Sequence, residues 1–257
     1  MEINIKHFRI NVENNEFVHA VYKEGKNSTR GCVVFSHGFG VPGFESHRMF
    51  WEISNDLVKN GFSTVLFDYR GSGYSDGSFE NMTIETEISD LNAVIDYIKN
   101  CSSIFTNKLV LWGQSFGSGV ASIVSASRQD IDFTILWCLS ADLYNRYKKT
   151  LGEKIFTDKY VFLGSGLKVS INFLESLKAR DVYRSIASIN NPILFVHGTD
   201  DEKASVELSK KGYELAHCDK TIFLLDGGNH GFKSQPIIYE NAKQKTYKWL
   251  LEKLTGD

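Results

Sequence analysis

Long hydrophobic runs are missing from this 257-residue chain. Nothing in it approaches the ~20 consecutive apolar residues that a membrane-spanning helix requires. The nearest stretch, Phe133 to Ala141, has the length of a buried strand. Met1 to Val12 alternates charge with Ile and Phe and has neither an apolar h-region nor a cleavage pattern, so it does not read as a signal peptide. The expected location is therefore cytoplasmic. An excess of one charge is also missing: 29 basic against 31 acidic residues leave a net charge of −2. That balance gives no electrostatic case for binding nucleic acid or an anionic membrane. Cysteine is scarce. Cys32, Cys101, Cys138 and Cys218 form no CxxC pair, and two of them fall in expected core strands, so all four read as reduced structural thiols. No group of His, Cys and carboxylates has metal-ligand spacing, and no cofactor is implied. Repeats, low-complexity segments and Pro/Ser linkers are absent as well. The expectation is one domain over residues 1–257, large enough to build a sheet covered on both faces.

What the chain does contain is a rhythm. Ile3, Ile5, Phe8, Ile10 and Val12, then Phe17, Val18 and Val21, alternate as edge strands of a hairpin would. Continuous apolar runs follow at Gly31–Ser36, Ser63–Phe67, Lys108–Trp112, Phe133–Leu139, Ile193–Val196 and Thr221–Leu225. Such runs suit parallel strands buried on both faces. Helical patterns lie between most of them: about 49–59, a stretch with Ile84, Ile88, Leu91, Ile95 and Ile98 on one face and Thr83 as N-cap, another after Ser115, then about 205–216 and 237–254. Alternating strands and helices predict an α/β fold with a mostly parallel sheet and helices on both faces. In such sheets ligands bind beyond the carboxyl ends of the strands, so residues just past each run are the ones to inspect. About fifty residues between Leu139 and Pro192 lack a clear sheet strand, long for a structureless loop, and read as a small helical cap inserted at about 141–191.

Four strand ends carry chemistry. Gly113-Gln114-Ser115-Phe116-Gly117 reads strand, sharp turn, helix, a Gly-x-Ser-x-Gly elbow that exposes the Ser115 hydroxyl. Ser36-His37-Gly38-Phe39-Gly40 ends a strand in a loop able to turn a backbone N–H inward. Acyl transfer needs donors where charge develops on the carbonyl oxygen, and the N–H groups of Phe39 and Phe116 are the candidates. His37 reads as shaping that loop, and His47 is undecided. Serine is a poor nucleophile until a base takes its proton and an acid orients the base. His197-Gly-Thr-Asp200-Asp201 and Asn229-His230 both follow strand ends, in the order Ser, acid, His. His230 is the base candidate and Asp201 the favoured acid, with Asp200 and Asp142 open as alternatives. Asp68 and Arg70, after another strand, read as loop anchors.

These motifs resemble the α/β-hydrolase superfamily across nearly the whole length. The stretch from Phe67 to Thr83, Phe-Asp-Tyr-Arg-Gly-Ser-Gly-Tyr-Ser-Asp-Gly-Ser-Phe-Glu-Asn-Met-Thr, is more narrowly similar to bacterial cinnamoyl and feruloyl esterases and to prolyl-oligopeptidase-like hydrolases. The resemblance implies an eight-stranded sheet, a Ser115–Asp201–His230 triad with Phe39 and Phe116 as oxyanion donors, and a small-molecule ester as substrate. Two departures stand out. The cap is shorter than in feruloyl esterases, and Asp201-Glu-Lys-Ala204-Ser205 replaces an Asp-x-x-Val-Pro pattern. Tyr144, Tyr147, Phe156, Tyr160 and Phe162 are the cap residues expected to line the substrate pocket. Thioesterase, acyltransferase, amidase and peptidase chemistry would use the same triad, and a non-catalytic binding module is the reading from another class.

Overall fold

The computed structural model describes residues 3–25, 27–101, 104, 107–151, 159–162, 166–232 and 234–255. An eight-stranded sheet organises them. β1 (Ile3–Asn11) and β2 (Phe17–Gly25) form the antiparallel hairpin, and β2 pairs antiparallel with β4 (Ser63–Phe67). From there the sheet is parallel: β3 (Cys32–Ser36), β5 (Leu109–Gln114), β6 (Phe133–Trp137), β9 (Ile193–Gly198) and β10 (Lys220–Leu225), in spatial order β1-β2-β4-β3-β5-β6-β9-β10.

Strand alternation divides the core in two. Val33, Phe35, Trp112, Ile135, Trp137 and Val196 point to one face, against α1 (Met49–Lys59) and α8 (Pro236–Thr255). Val34, Val65, Leu111, Leu136 and Phe195 point to the other, against α2 (Ile84–Asn100) and α3 (Phe116–Ser127). Both faces are covered, which explains why the parallel strands read as unbroken apolar runs. The N-terminus of α2 is also legible. Thr83 Oγ1 accepts the Thr86 N–H at 3.1 Å, and Thr86 Oγ1 accepts the Thr83 N–H at 2.9 Å, a reciprocal cap that satisfies two otherwise orphaned donors.

Between β6 and β9 the chain forms α4 (Leu143–Leu151), a separate two-stranded ribbon of β7 (Tyr160–Phe162) and β8 (Lys168–Ser170), then α5 (Ile171–Lys178) and α6 (Val182–Ala187). The ribbon departs from the helical cap expected at about 141–191. Lys168–Ser170 is extended because Val161 and Val169 oppose each other and bury together, a period of two too short to register against a helical pattern. The helix starts only at Ile171. Beyond β9 lies α7 (Glu207–Leu215). Among the described residues no helix is long and apolar enough to cross a membrane.

Candidate active site

The parallel strands place Ser36, Gln114, Trp137, Gly198 and Leu225 at one edge of the sheet, and the site is built from the loops that leave there. Ser115 follows β5 with φ 52° and ψ −121°, a strained conformation for a residue with a side chain. The strain is held by close packing. A Cβ on Gly113 would lie 2.5 Å from the Gly117 carbonyl oxygen, and one on Gly117 would lie 2.2 Å from the Ser36 carbonyl oxygen. Glycine at both positions lets α3 begin directly against β3 and β5.

His230 joins the two remaining loops. Its Nδ1 lies 2.7 Å from Asp201 Oδ2, and its Nε2 lies 2.9 Å from Ser115 Oγ. An ionised carboxylate only accepts, so Nδ1 carries the ring proton of the neutral imidazole and Nε2 is left to accept from the serine hydroxyl. Asp201 is buried and engaged on both oxygens. Oδ1 accepts the backbone N–H groups of Lys203 (2.9 Å) and Ala204 (2.8 Å). Oδ2 accepts from His230 and, at 3.1 Å, from His197 Nε2. Burial alone would raise its pKa, but the His197 and His230 hydrogen bonds outweigh it and hold the carboxyl well below the usual carboxylate range.

His197 is a functional-site residue that the sequence reading left out. It is fully buried, and its Nε2 faces two acceptors, Asp201 Oδ2 and the Ala204 carbonyl oxygen at 2.9 Å. That ring nitrogen therefore carries the proton, while Nδ1 accepts from the Ser209 hydroxyl at 2.6 Å. The signal was present, since His197 closes β9 four residues before Asp201. Asp200 and Asp142, the alternative acids, are exposed and turned elsewhere: Asp200 accepts from Thr199 Oγ1 and Asp142 from Asn145.

The oxyanion candidates also come together. Among the described residues neither the Phe39 nor the Phe116 N–H makes a hydrogen bond, and their rings meet at a centroid distance of 6.0 Å. Phe116 opens α3, where the first amides have no helical partner. His37, buried by the same loop, accepts the Tyr69 N–H at Nε2 (3.1 Å) and so donates from Nδ1 to the Gly38 carbonyl oxygen (2.9 Å). Burial lowers its pKa. Asp68 accepts the N–H groups of Gly43 and Tyr74, and Arg70 Nε donates to Asp90 at 2.7 Å, so both anchor loops.

The four cap candidates among the described residues do not share one environment. Tyr147 is buried against Phe39 (4.8 Å between centroids), Phe116 (5.8 Å) and Phe173 (5.1 Å). Tyr144 is half-buried with Lys148 and Lys178 near its ring. Tyr160 lies in β7 beneath the Lys168 ammonium, and Phe162 is 75% exposed. Phe156 lies outside the described residues. Phe173, absent from the sequence-based candidates, joins the Phe39–Phe116–Tyr147 cluster from α5.

Cys138 sits beneath the site at φ 49°, and its sulfur, an Asp201 oxygen and a His230 nitrogen lie within 4.8 Å of one another. A metal there would compete with four donors already on Asp201. Burial and the Asp201 charge also push the Cys138 thiol far above its ordinary pKa, which disfavours the ligating thiolate.

The sheet order, the strained serine turn and the converging loops define an α/β hydrolase. Within that class the chain belongs to the prolyl oligopeptidase family, whose model matches residues 48–257. Est1E from Butyrivibrio proteoclasticus, solved with ferulic acid bound, superposes with a TM-score of 0.82 at 22% identity, covering 94% of this chain and 98% of that one. The Pyrococcus furiosus esterase Pf2001 gives 0.77 at 20% identity over 98% and 93%. Among sequence relatives, the lysophosphatidylserine lipase ABHD12 of Danio rerio is 25% identical over 89% of this chain and 56% of its own. The quorum-quenching protein AidA of Acinetobacter baumannii is 26% identical over 80% and 65%. The chain thus spans roughly half to two thirds of the length of these curated relatives. The resemblance to esterases and prolyl-oligopeptidase-like hydrolases read from the sequence is borne out.

Proposed function

We propose that this chain is a serine hydrolase that cleaves carboxylic esters through an acyl-enzyme. The observation that carries the reading is His230 spanning Ser115 Oγ and Asp201 Oδ2 at 2.9 and 2.7 Å. His230 Nε2 takes the serine proton as Ser115 Oγ attacks the ester carbonyl. The oxyanion is received by the Phe39 and Phe116 N–H groups, whose freedom from other hydrogen bonds suits that task. The imidazolium, balanced by Asp201, then protonates the departing alcohol, and water taken through the same base releases the acid. The described residues of the 141–191 insertion act as a cap whose Tyr147 and Phe173, with Phe39, form the apolar wall on the acyl side. The esterase and lipase names among relatives and neighbours support the ester over the amide.

Two experiments test this. A fluorophosphonate probe should label wild-type protein at Ser115 and leave Ser115→Ala unlabelled. Rates on p-nitrophenyl esters, methyl ferulate, acyl thioesters and aminoacyl anilides should be highest for an oxygen ester. Full turnover by Ser115→Ala would end the mechanism, and a preference for anilides or thioesters would replace the substrate class.

A further inference from the structure

Among the buried carboxylates that the mechanism does not use, Glu45 lies nearest the oxyanion loop. Glu45 is 6% exposed and follows the oxyanion loop. Its Oε2 accepts the Gly38 N–H at 2.6 Å and its Oε1 accepts the Ser46 N–H at 3.0 Å. Each oxygen keeps a further lone-pair site. The backbone that presents it is strained: Glu45, His47 and Arg48 all have positive φ, at 62°, 53° and 62°. Non-glycine residues adopt such angles rarely, and runs of them cluster where a loop must aim a side chain.

The same residue borders a cavity of about 130 Å³ that also touches His230, Gln114, Lys203 and Ser234. Neither Phe39 nor Phe116 lines it, so it lies on the base side of the serine rather than with the oxyanion amides. In ester cleavage the imidazolium must reach the departing oxygen, which places the alcohol on that side. Resting on the esterase reading above, we propose that this cavity is the leaving-group subsite and that it selects alcohols carrying a neighbouring hydroxyl, such as a glycol or glycerol.

The lining chemistry singles out a hydroxyl. Glu45 offers acceptor positions, and Lys203, whose positive charge partly offsets the cost of burying the Glu45 carboxyl, offers an ammonium. A free carboxylate or phosphate on the alcohol would meet Glu45, and an ammonium would meet Lys203. A hydroxyl both donates and accepts, so it satisfies the two at once. Gln114 adds a buried Oε1 with no hydrogen-bond partner. In the step itself, the Ser115 Oγ–carbonyl bond forms, the bond from that carbon to the alcohol oxygen breaks, and the His230 Nε2 proton passes to that oxygen.

The test compares butyrate esters of n-propanol, ethylene glycol and glycerol, with kcat/KM divided by each ester's hydroxide-catalysed rate. The glycol ester should exceed the nearly isosteric propyl ester by about tenfold, the upper end of what one net hydrogen bond contributes. Glu45→Gln should shrink that ratio towards one, whatever it does to absolute turnover. Ser234→Phe should fill the cavity and lower kcat/KM for the glycerol ester several-fold relative to that for methyl butyrate, whatever it does to either rate alone. A wild-type ratio near one overturns the proposal, as does a ratio unchanged in Glu45→Gln or a glycerol-to-methyl ratio that Ser234→Phe leaves unchanged. Fluorophosphonate labelling of Ser115 in the same preparations separates the two failures: labelled protein with a flat ratio sinks the subsite alone, and unlabelled protein sinks the esterase reading.

Discussion

Replacing Asp201 by Asn tests the proposed base more sharply than removing the serine, because the shape of the site barely changes. The carboxylate accepts four hydrogen bonds, two backbone N–H groups on Oδ1 and two imidazoles on Oδ2. An amide offers only one acceptor oxygen. If its NH2 faced Lys203 and Ala204, two donors would meet two donors at under 3 Å and both backbone bonds would be lost. The amide oxygen is therefore held at Oδ1, and the NH2 points at His230 Nδ1. That nitrogen must then accept, which puts the ring proton on Nε2, facing Ser115 Oγ as a donor. A base in the wrong tautomer cannot take the serine proton, and the expected loss in kcat is about 10⁴-fold, or ~5.5 kcal/mol. His197 Nε2 meets the same NH2 while still owing a donor to the Ala204 carbonyl oxygen, so stability should drop by about 1–3 kcal/mol. Wild-type stability drawn from the depressed Asp201 pKa is present above the unfolded carboxyl value of ~3.9 and fades as the pH falls below it, a decline that the Asn variant should lack. Steady-state rates on p-nitrophenyl acetate, with circular dichroism to confirm folding, give the answer. A folded Asp201→Asn protein within tenfold of wild type would refute the reasoning.

Two further outcomes concern the frame around the site. Gly117→Ala should lose at least about 2–3 kcal/mol in urea unfolding, since its Cβ would press on the Ser36 and His37 carbonyl oxygens at 2.2 and 2.4 Å and neither strand nor helix can yield; a variant as stable as wild type would contradict that packing. Lys23 is buried with its ammonium on Ser54 Oγ (2.7 Å), Asn55 Oδ1 (2.9 Å) and the Trp51 ring, and burial followed by the nearby Arg48 charge lowers its pKa to about 7. Between that value and 10.5 the unfolded chain binds the extra proton, so this group makes stability rise with pH, by no more than about 3 kcal/mol given the compensating contacts. Chemical denaturation across pH 7–10 should show the rise in wild type and a flatter profile in Lys23→Met, and parallel profiles would remove Lys23 as its source.

What the sequence determined by itself was whatever depends on neighbours along the chain. Ser63–Phe67 and Met49–Lys59 could be bounded because a strand's apolar run and a helix's apolar face are local patterns, and Thr83 marks its own helix end. The elbow around Ser115 was legible because its glycines answer a local turn, and His230 because it follows a strand end. Tertiary structure decided the rest. Choosing Asp201 over Asp200 and Asp142 required knowing which carboxylate faces inward across loops 29 residues apart. His197 and Glu45 act through partners that appear only when β9, β10 and the oxyanion loop converge. The β7–β8 ribbon depends on pairing segments each too short to announce a period, and Tyr147 and Phe162 read alike in sequence although one is buried against Phe39 and the other faces solvent. Chain-local patterns follow from backbone geometry; which side chains meet follows from the packing of strands distant in sequence.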